Sequence, residues 1–201
     1  MHSAAALAQM NIDKELFLDE IIQKYNEIHN QTIGIDSFIF MNDGYMPLDN
    51  DGYPQLLSTY PELNKLHSIW RHQSYLYVEL LKQSGLDLSA NLGSILDVGC
   101  GRGGGLSVFR DYYKINKLTG LDLNPNQVEF ANHTHSDINF VQGSAMDLPF
   151  AAESFDIITN VESANYYFLY DDFLKGINKT LKPNGLFLYA DTFDEDRKSV
   201  V

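Results

Sequence analysis

Two carboxylates and a cluster of glycines stand where they could hold a ligand. Asp97 lies near the end of a short apolar run, Ser94-Ile95-Leu96-Asp97-Val98, and Gly99, Gly101, Gly103, Gly104 and Gly105 follow it. Glycines let backbone N–H groups come close to a ligand at the start of a helix. By spacing alone, Gly99-x-Gly101-x-x-Gly104 fits a dinucleotide turn. Asp122 stands about 20 residues further on, where a carboxylate can accept hydrogen bonds from ribose hydroxyls. Asp97 separates the ligand classes. A carboxylate at this strand tip would repel a pyrophosphate and attract an ammonium or sulfonium group. Its plainer role would be to cap the turn. Cys100 reads as a small residue in a tight turn rather than as a nucleophile.

These residues need a strand, a turn and a helix to position them. The apolar run supplies the strand, and Leu106, Phe109 and Tyr113 fall at helical spacing after the glycines. From there strand and helix patterns alternate. Strands are expected at 94–98, 117–122, 138–142, 155–161 and 186–191, and helices at about 104–114, 125–135 and 171–181. Such alternation predicts an α/β fold, a doubly wound parallel sheet with its ligand at the carboxyl ends of the strands.

Ahead of this domain, residues 13–30 read as a helix with Asp13 as its cap. Residues 34–54 form an irregular stretch rich in Gly, Asn, Asp and aromatics, including Phe38-Ile39-Phe40-Met41-Asn42-Asp43-Gly44-Tyr45. It is either a cover over a site or a loop pinned to the core. Pro61 opens a long helix to Ser84, stopped by Gly85. His67 and His72 lie on it, where a histidine is more often solvated or packed than catalytic. The division expected is residues 1–90 as helices and aromatic lid, and 91–201 as the α/β domain.

Composition sets outer limits. The 201 residues, 44% hydrophobic and 20% charged, describe an ordinary globular chain. A net charge of −13 argues against nucleic acid or an anionic membrane surface as the main partner. The single cysteine allows no internal disulfide and fits a reducing, cytoplasmic setting. No apolar run reaches the length of a membrane span.

Five segments in order resemble class I S-adenosylmethionine-dependent methyltransferases. They are Ile95-Leu96-Asp97-Val98-Gly99-Cys100-Gly101-x-Gly103, Thr119 to Asn124, Gly143 to Phe150, Ser154-Phe155-Asp156-Ile157-Ile158, and Leu181-Lys182-Pro183-Asn184-Gly185-Leu186-Phe187. The resemblance implies a Rossmann-like fold and S-adenosylmethionine as methyl donor, with S-adenosylhomocysteine as product. It places Gly99, Cys100, Gly101 and Gly103 along the methionine and ribose portion, with Asp97 near the cationic amino-acid end. Asp122 would hold both ribose hydroxyls, Leu123 would lie on the adenine face, and Ser144 and Ala145 would meet the adenine edge. Relatives commonly carry aspartate at Ser144; a hydroxyl keeps the hydrogen bond without its charge-assisted part.

The segment Phe40 to Tyr45, with Asn160-Val161-Glu162-Ser163, resembles enzymes of lipid, polyketide and natural-product tailoring. There Tyr45 would be a lid contact and Asn160 part of the cofactor site. The acceptor implied is a small, apolar metabolite methylated on O, N or C. Such relatives often carry a histidine base where this chain has Asn165, which cannot take a proton at neutral pH. Glu162, Tyr166, His67 and His72 remain as candidate catalytic residues.

The family sheet has seven strands, whereas this chain stops just beyond its fifth. An open strand edge invites pairing, so a dimer through this edge or the aromatic N-terminal region, or a partner chain completing the sheet, is expected. Two alternatives stand beside the enzyme: a non-catalytic, methyltransferase-like subunit working with a partner, and a nicotinamide-dependent oxidoreductase, which Asp97 disfavours. No metal site is expected.

Overall fold

The computed structural model describes residues 19–20, 22–32, 41 and 70–191. The expected lid residue Tyr45, the candidate base His67, the Asp13 cap and the first half of the long helix lie outside these residues. In chain order the elements are the helical residues 22–32 (α1), Arg71–Gln83 (α2), Ser94–Val98 (β1), Gly104–Tyr112 (α3), Lys117–Asp122 (β2), Pro125–Thr134 (α4), Asn139–Gln142 (β3), Phe155–Val161 (β4), Tyr170–Thr180 (α5) and Leu181–Ala190 (β5). The strands are all parallel, in the order β3-β2-β1-β4-β5.

β1 holds the centre because its side chains can be buried on both faces. Ile95, Leu96, Asp97 and Val98 are all fully buried, and each full burial of an aliphatic side chain stabilises by about 1.5–3 kcal/mol. Successive side chains point to opposite faces. Ile95 joins Tyr75, Tyr77, Val78 and Leu81 of α2 and Leu106 and Phe109 of α3 in one core. Leu96 and Val98 join Ile158 of β4 and Phe173 and Ile177 of α5 in the other. Chain direction across the sheet reverses between β1 and β4, which opens a cleft at their carboxyl ends.

Local chemistry sets the helix ends. Asn124 caps α4 by accepting from the Asn126 amide at 2.9 Å, with Pro125 at the first helical position. Gly85 takes φ 76° just after α2, as its place at a helix stop requires. β5 begins earlier than the apolar run suggests. Leu181 already pairs with Phe155, and the next pair is Ile157 with Leu186. The residues between bulge outward through Asn184, which adopts φ 63°. β5 is the outermost strand, and among the described residues nothing pairs with its far edge. No described helix is long and apolar enough to cross a membrane.

Candidate functional site

A cleft opens at the strand tips, where a doubly wound sheet places its ligand. Gly99, Cys100, Gly101, Asp122, Leu123, Ser144, Ala145, Glu162 and Tyr166 all line it. Most of the residues expected to bind are thus brought together from the ends of four strands.

The turn after β1 is shaped by positive φ. Gly99 sits at φ 75°, and a β-carbon there would run into Ser163 Oγ and the Tyr167 hydroxyl. Gly101, at φ 52°, keeps its amide free for Asp122 Oδ2, to which it donates at 2.8 Å. The Asn124 amide donates to Asp122 Oδ1 at 2.9 Å. The carboxylate is therefore aimed and held with lone pairs to spare for hydroxyl donors. Burial pushes its pKa up, and the backbone amides of Asn124, Gly101 and Leu123 oppose that rise.

Three expected binding residues stand behind the wall instead of in it. Asp97 is fully buried, accepts from Thr159 Oγ1 at 2.7 Å and interacts with the Tyr77 phenol; Tyr77 itself lines the cleft. Asn160, also fully buried, donates to Val98 O at 2.8 Å, Ser163 Oγ at 2.7 Å and the Tyr167 hydroxyl at 2.9 Å. It braces the glycine turn from below. Gly103, the N-cap of α3, backs onto Phe140 and His135. Ser144 does line the cleft, and its hydroxyl already accepts from the Met146 amide at 3.2 Å.

Among the catalytic candidates, Glu162 and Tyr166 line the cleft. Glu162 adopts φ 48°, rare for a residue with a side chain and common where function over-determines the backbone. His72 is exposed on α2 and does not line the cleft, so it is no base for chemistry there. Asn165 also lies off the lining; its backbone N–H donates to Asp191 Oδ2 at 3.0 Å. Cys100 is buried, and burial pushes its thiol well above the usual range, as befits an inert turn residue. Among the described residues no cluster of His, Cys, Asp or Glu could hold a metal ion.

Sequence reasoning missed Tyr25, Tyr77, Asn124, Gln127 and Tyr167, which also line the cleft. Tyr25 arrives on α1, which is fastened across the opening by polar contacts. Gln127 Nε2 donates to Tyr25 O at 3.3 Å, and Asn124 and Asn126 donate to Asn26 Oδ1 at 3.0 and 2.8 Å. Buried Arg102 donates to Gln127 Oε1 at 3.0 Å, meets His29 Nδ1 at 3.2 Å and covers the Phe130 ring at 4.2 Å.

The residues fit an S-adenosylmethionine-like group on an observation independent of motif. Asp97 Oδ2 is a fully buried carboxylate oxygen with no hydrogen-bond partner, behind the cleft wall that Tyr77 lines, and a cationic amino-acid group in the cleft would offset its charge.

The comparisons agree. A family described as "Methyltransferase domain" matches residues 96–189. The fatty-acid O-methyltransferase of Mycolicibacterium smegmatis is 37% identical over 158 residues, covering 78% of this chain and 53% of that protein. A probable phthiotriol/phenolphthiotriol dimycocerosates methyltransferase 2 of Mycobacterium ulcerans is 34% identical, covering 79% and 58%. The chain spans little more than half the length of these curated relatives. The crystal structure of geranyl diphosphate C-methyltransferase from Streptomyces coelicolor shares the fold, with TM-score 0.63 at 20% identity, covering 86% of this chain and 63% of that one. The α/β unit of this chain has the Rossmann-like fold of class I methyltransferases, and within it residues 96–189 match the methyltransferase domain.

Proposed function

We propose that the protein transfers a methyl group from S-adenosylmethionine to a small, apolar metabolite. The observation that carries this reading is Asp122, held by the Gly101 and Asn124 amides at the mouth of a cleft that Asp97 underlies with an unpartnered oxygen. The two relatives named for fatty-acid and phthiotriol-type acceptors support an apolar acceptor.

When bound, the donor supplies a methyl group on a positively charged sulfur. The chain's own residues do the rest. Asp122 would accept hydrogen bonds from the ribose hydroxyls, Leu123 would lie on the adenine face, and Ser144 and Ala145 would meet its edge. The amides of Gly99 to Gly101 would follow the methionine portion, with Tyr77 and Asp97 toward its ammonium end. Glu162 adds negative charge near the cation. Ile22 and Tyr25 of α1 and Met41 line the cleft; on the acceptor side they would exclude water, so that alignment would supply most of the acceleration. No described histidine lines the cleft, which favours acceptors that need no strong base. Incubation with methyl-labelled donor and a panel of apolar acids, phenols and amines, read by mass spectrometry, tests this. Label in one acceptor class supports the reading; binding of donor with transfer to none of them, even in a full-length relative's conditions, refutes it.

A further inference from the structure

Among the described residues the lining of the cleft includes no Lys, Arg or His, whereas Asp122 and Glu162 both belong to it. Asp97 stands one layer behind: Tyr77 and Cys100 line the cleft, and each feels the charge of the Asp97 carboxyl. Its Oδ1 accepts from Thr159 Oγ1 at 2.7 Å, and its Oδ2, fully buried, makes no hydrogen bond. The ionisable groups that face it are Tyr77 of α2, Cys100 of the glycine turn, Asp122 at the end of β2 and Tyr167 beyond β4. All four are acids, and none brings a positive charge. Burial pushes both phenols and the thiol upward, so they stay protonated at neutral pH. Burial also pushes Asp97 up to about 7, with the Thr159 hydrogen bond opposing the rise and Asp122 adding to it. In the empty cleft this carboxyl therefore holds a proton well into the neutral range.

We propose that Asp97 is a proton-release site for the methyl donor: the donor's ammonium takes the place of the Asp97 proton, and that proton leaves for solvent as the donor binds. This inference rests on the methyltransferase reading and deepens it. An orphan carboxyl oxygen one layer behind the cleft, in surroundings without a cation, can be ionised at low cost only when a ligand brings the positive charge. The O–H bond breaks, its electron pair stays on the carboxylate, and one proton goes out for one ammonium that comes in. Donor capture then strengthens as pH rises from acid toward neutral, because less of the protein has a proton to lose. The thioether product carries the same ammonium. Its departure takes a proton back, so Asp97 adds no net proton to a turnover.

The test titrates the whole chain calorimetrically with S-adenosylhomocysteine and with methylthioadenosine, in pairs of buffers that differ in ionisation enthalpy. Methylthioadenosine keeps the adenosine and the thioether sulfur but lacks the ammonium, so any proton exchanged at Asp122 is common to both ligands. S-adenosylhomocysteine is expected to release more protons than methylthioadenosine, about 0.9 more at about pH 6 and about a quarter more at about pH 7.5. Its affinity relative to methylthioadenosine is expected to rise about eightfold between the same pH values. In Asp97→Asn both differences are expected to vanish, with S-adenosylhomocysteine bound more weakly at the upper pH. The comparison of the two ligands on the wild-type chain decides the matter without the variant. Equal proton release and equal pH dependence for the two ligands, or an Asp97→Asn protein that keeps the excess, overturns the assignment to Asp97. Failure of both ligands to bind would instead bring down the methyltransferase reading beneath it.

Discussion

Replacing Asp97 by asparagine should change how stability depends on pH. Burial pushes the Asp97 carboxyl from an ordinary 3.8 up to about 7; the Thr159 hydrogen bond opposes this, Asp122 adds to it and Tyr77 opposes it. The folded protein thus holds this proton more tightly than the unfolded chain does. Its contribution is complete below about pH 3.8 and is lost as pH rises through about 7, about 4 kcal/mol in all. Between about pH 5 and about pH 8, roughly 3 kcal/mol of that should disappear. Asp122, also pushed up by burial, acts with the same sign, whereas Asp156, which Lys182 and Ser94 hold low, acts with the opposite one. Asp97→Asn keeps the shape and removes the titration. Urea unfolding at the two pH values gives the free energies. The wild type should lose markedly more stability toward high pH than the variant, and the variant should match or exceed it at the upper value. Parallel pH dependences in the two proteins would refute the claim that burial holds the Asp97 carboxyl protonated in the folded protein.

Asp122→Ala should weaken S-adenosylhomocysteine binding at least tenfold, roughly the loss of charge-assisted hydrogen bonds, as isothermal titration would show. Gly99→Ala places a β-carbon against Ser163 Oγ at a φ of 75°; it should lower stability by about 1–3 kcal/mol in denaturant unfolding and weaken donor binding as well. Cys100 should stay unlabelled by a thiol reagent in the native protein and react fully in denaturant, because its thiol is buried and held protonated.

The sheet was legible where residues carry their burial in their type. Ile95-Leu96-Asp97-Val98 and Phe155-Asp156-Ile157-Ile158 are apolar runs too short for helices, and both become strands. Asp122 and the glycine turn were legible because that geometry demands those residue types. What stayed hidden was set by packing between distant segments. Nothing local marks Tyr77 among the leucines of α2 as the partner of Asp97, or Tyr25 of α1 as a wall of the cleft. Asn160 was expected in the cofactor site, yet the register of β4 against β1 turns it beneath the glycine turn, onto Val98 O. His72 is the reverse case. Its type suggested chemistry, and the helix phase that buries Ser74, Tyr75 and Val78 leaves it in solvent.

Calorimetric titration of the purified chain with S-adenosylhomocysteine, with a nicotinamide dinucleotide as the comparison, tests the central claim most directly. The account predicts one saturable site for the thioether that Asp122→Ala abolishes or severely weakens, and no heat with the dinucleotide. Silence with S-adenosylhomocysteine together with saturable binding of the dinucleotide would contradict it.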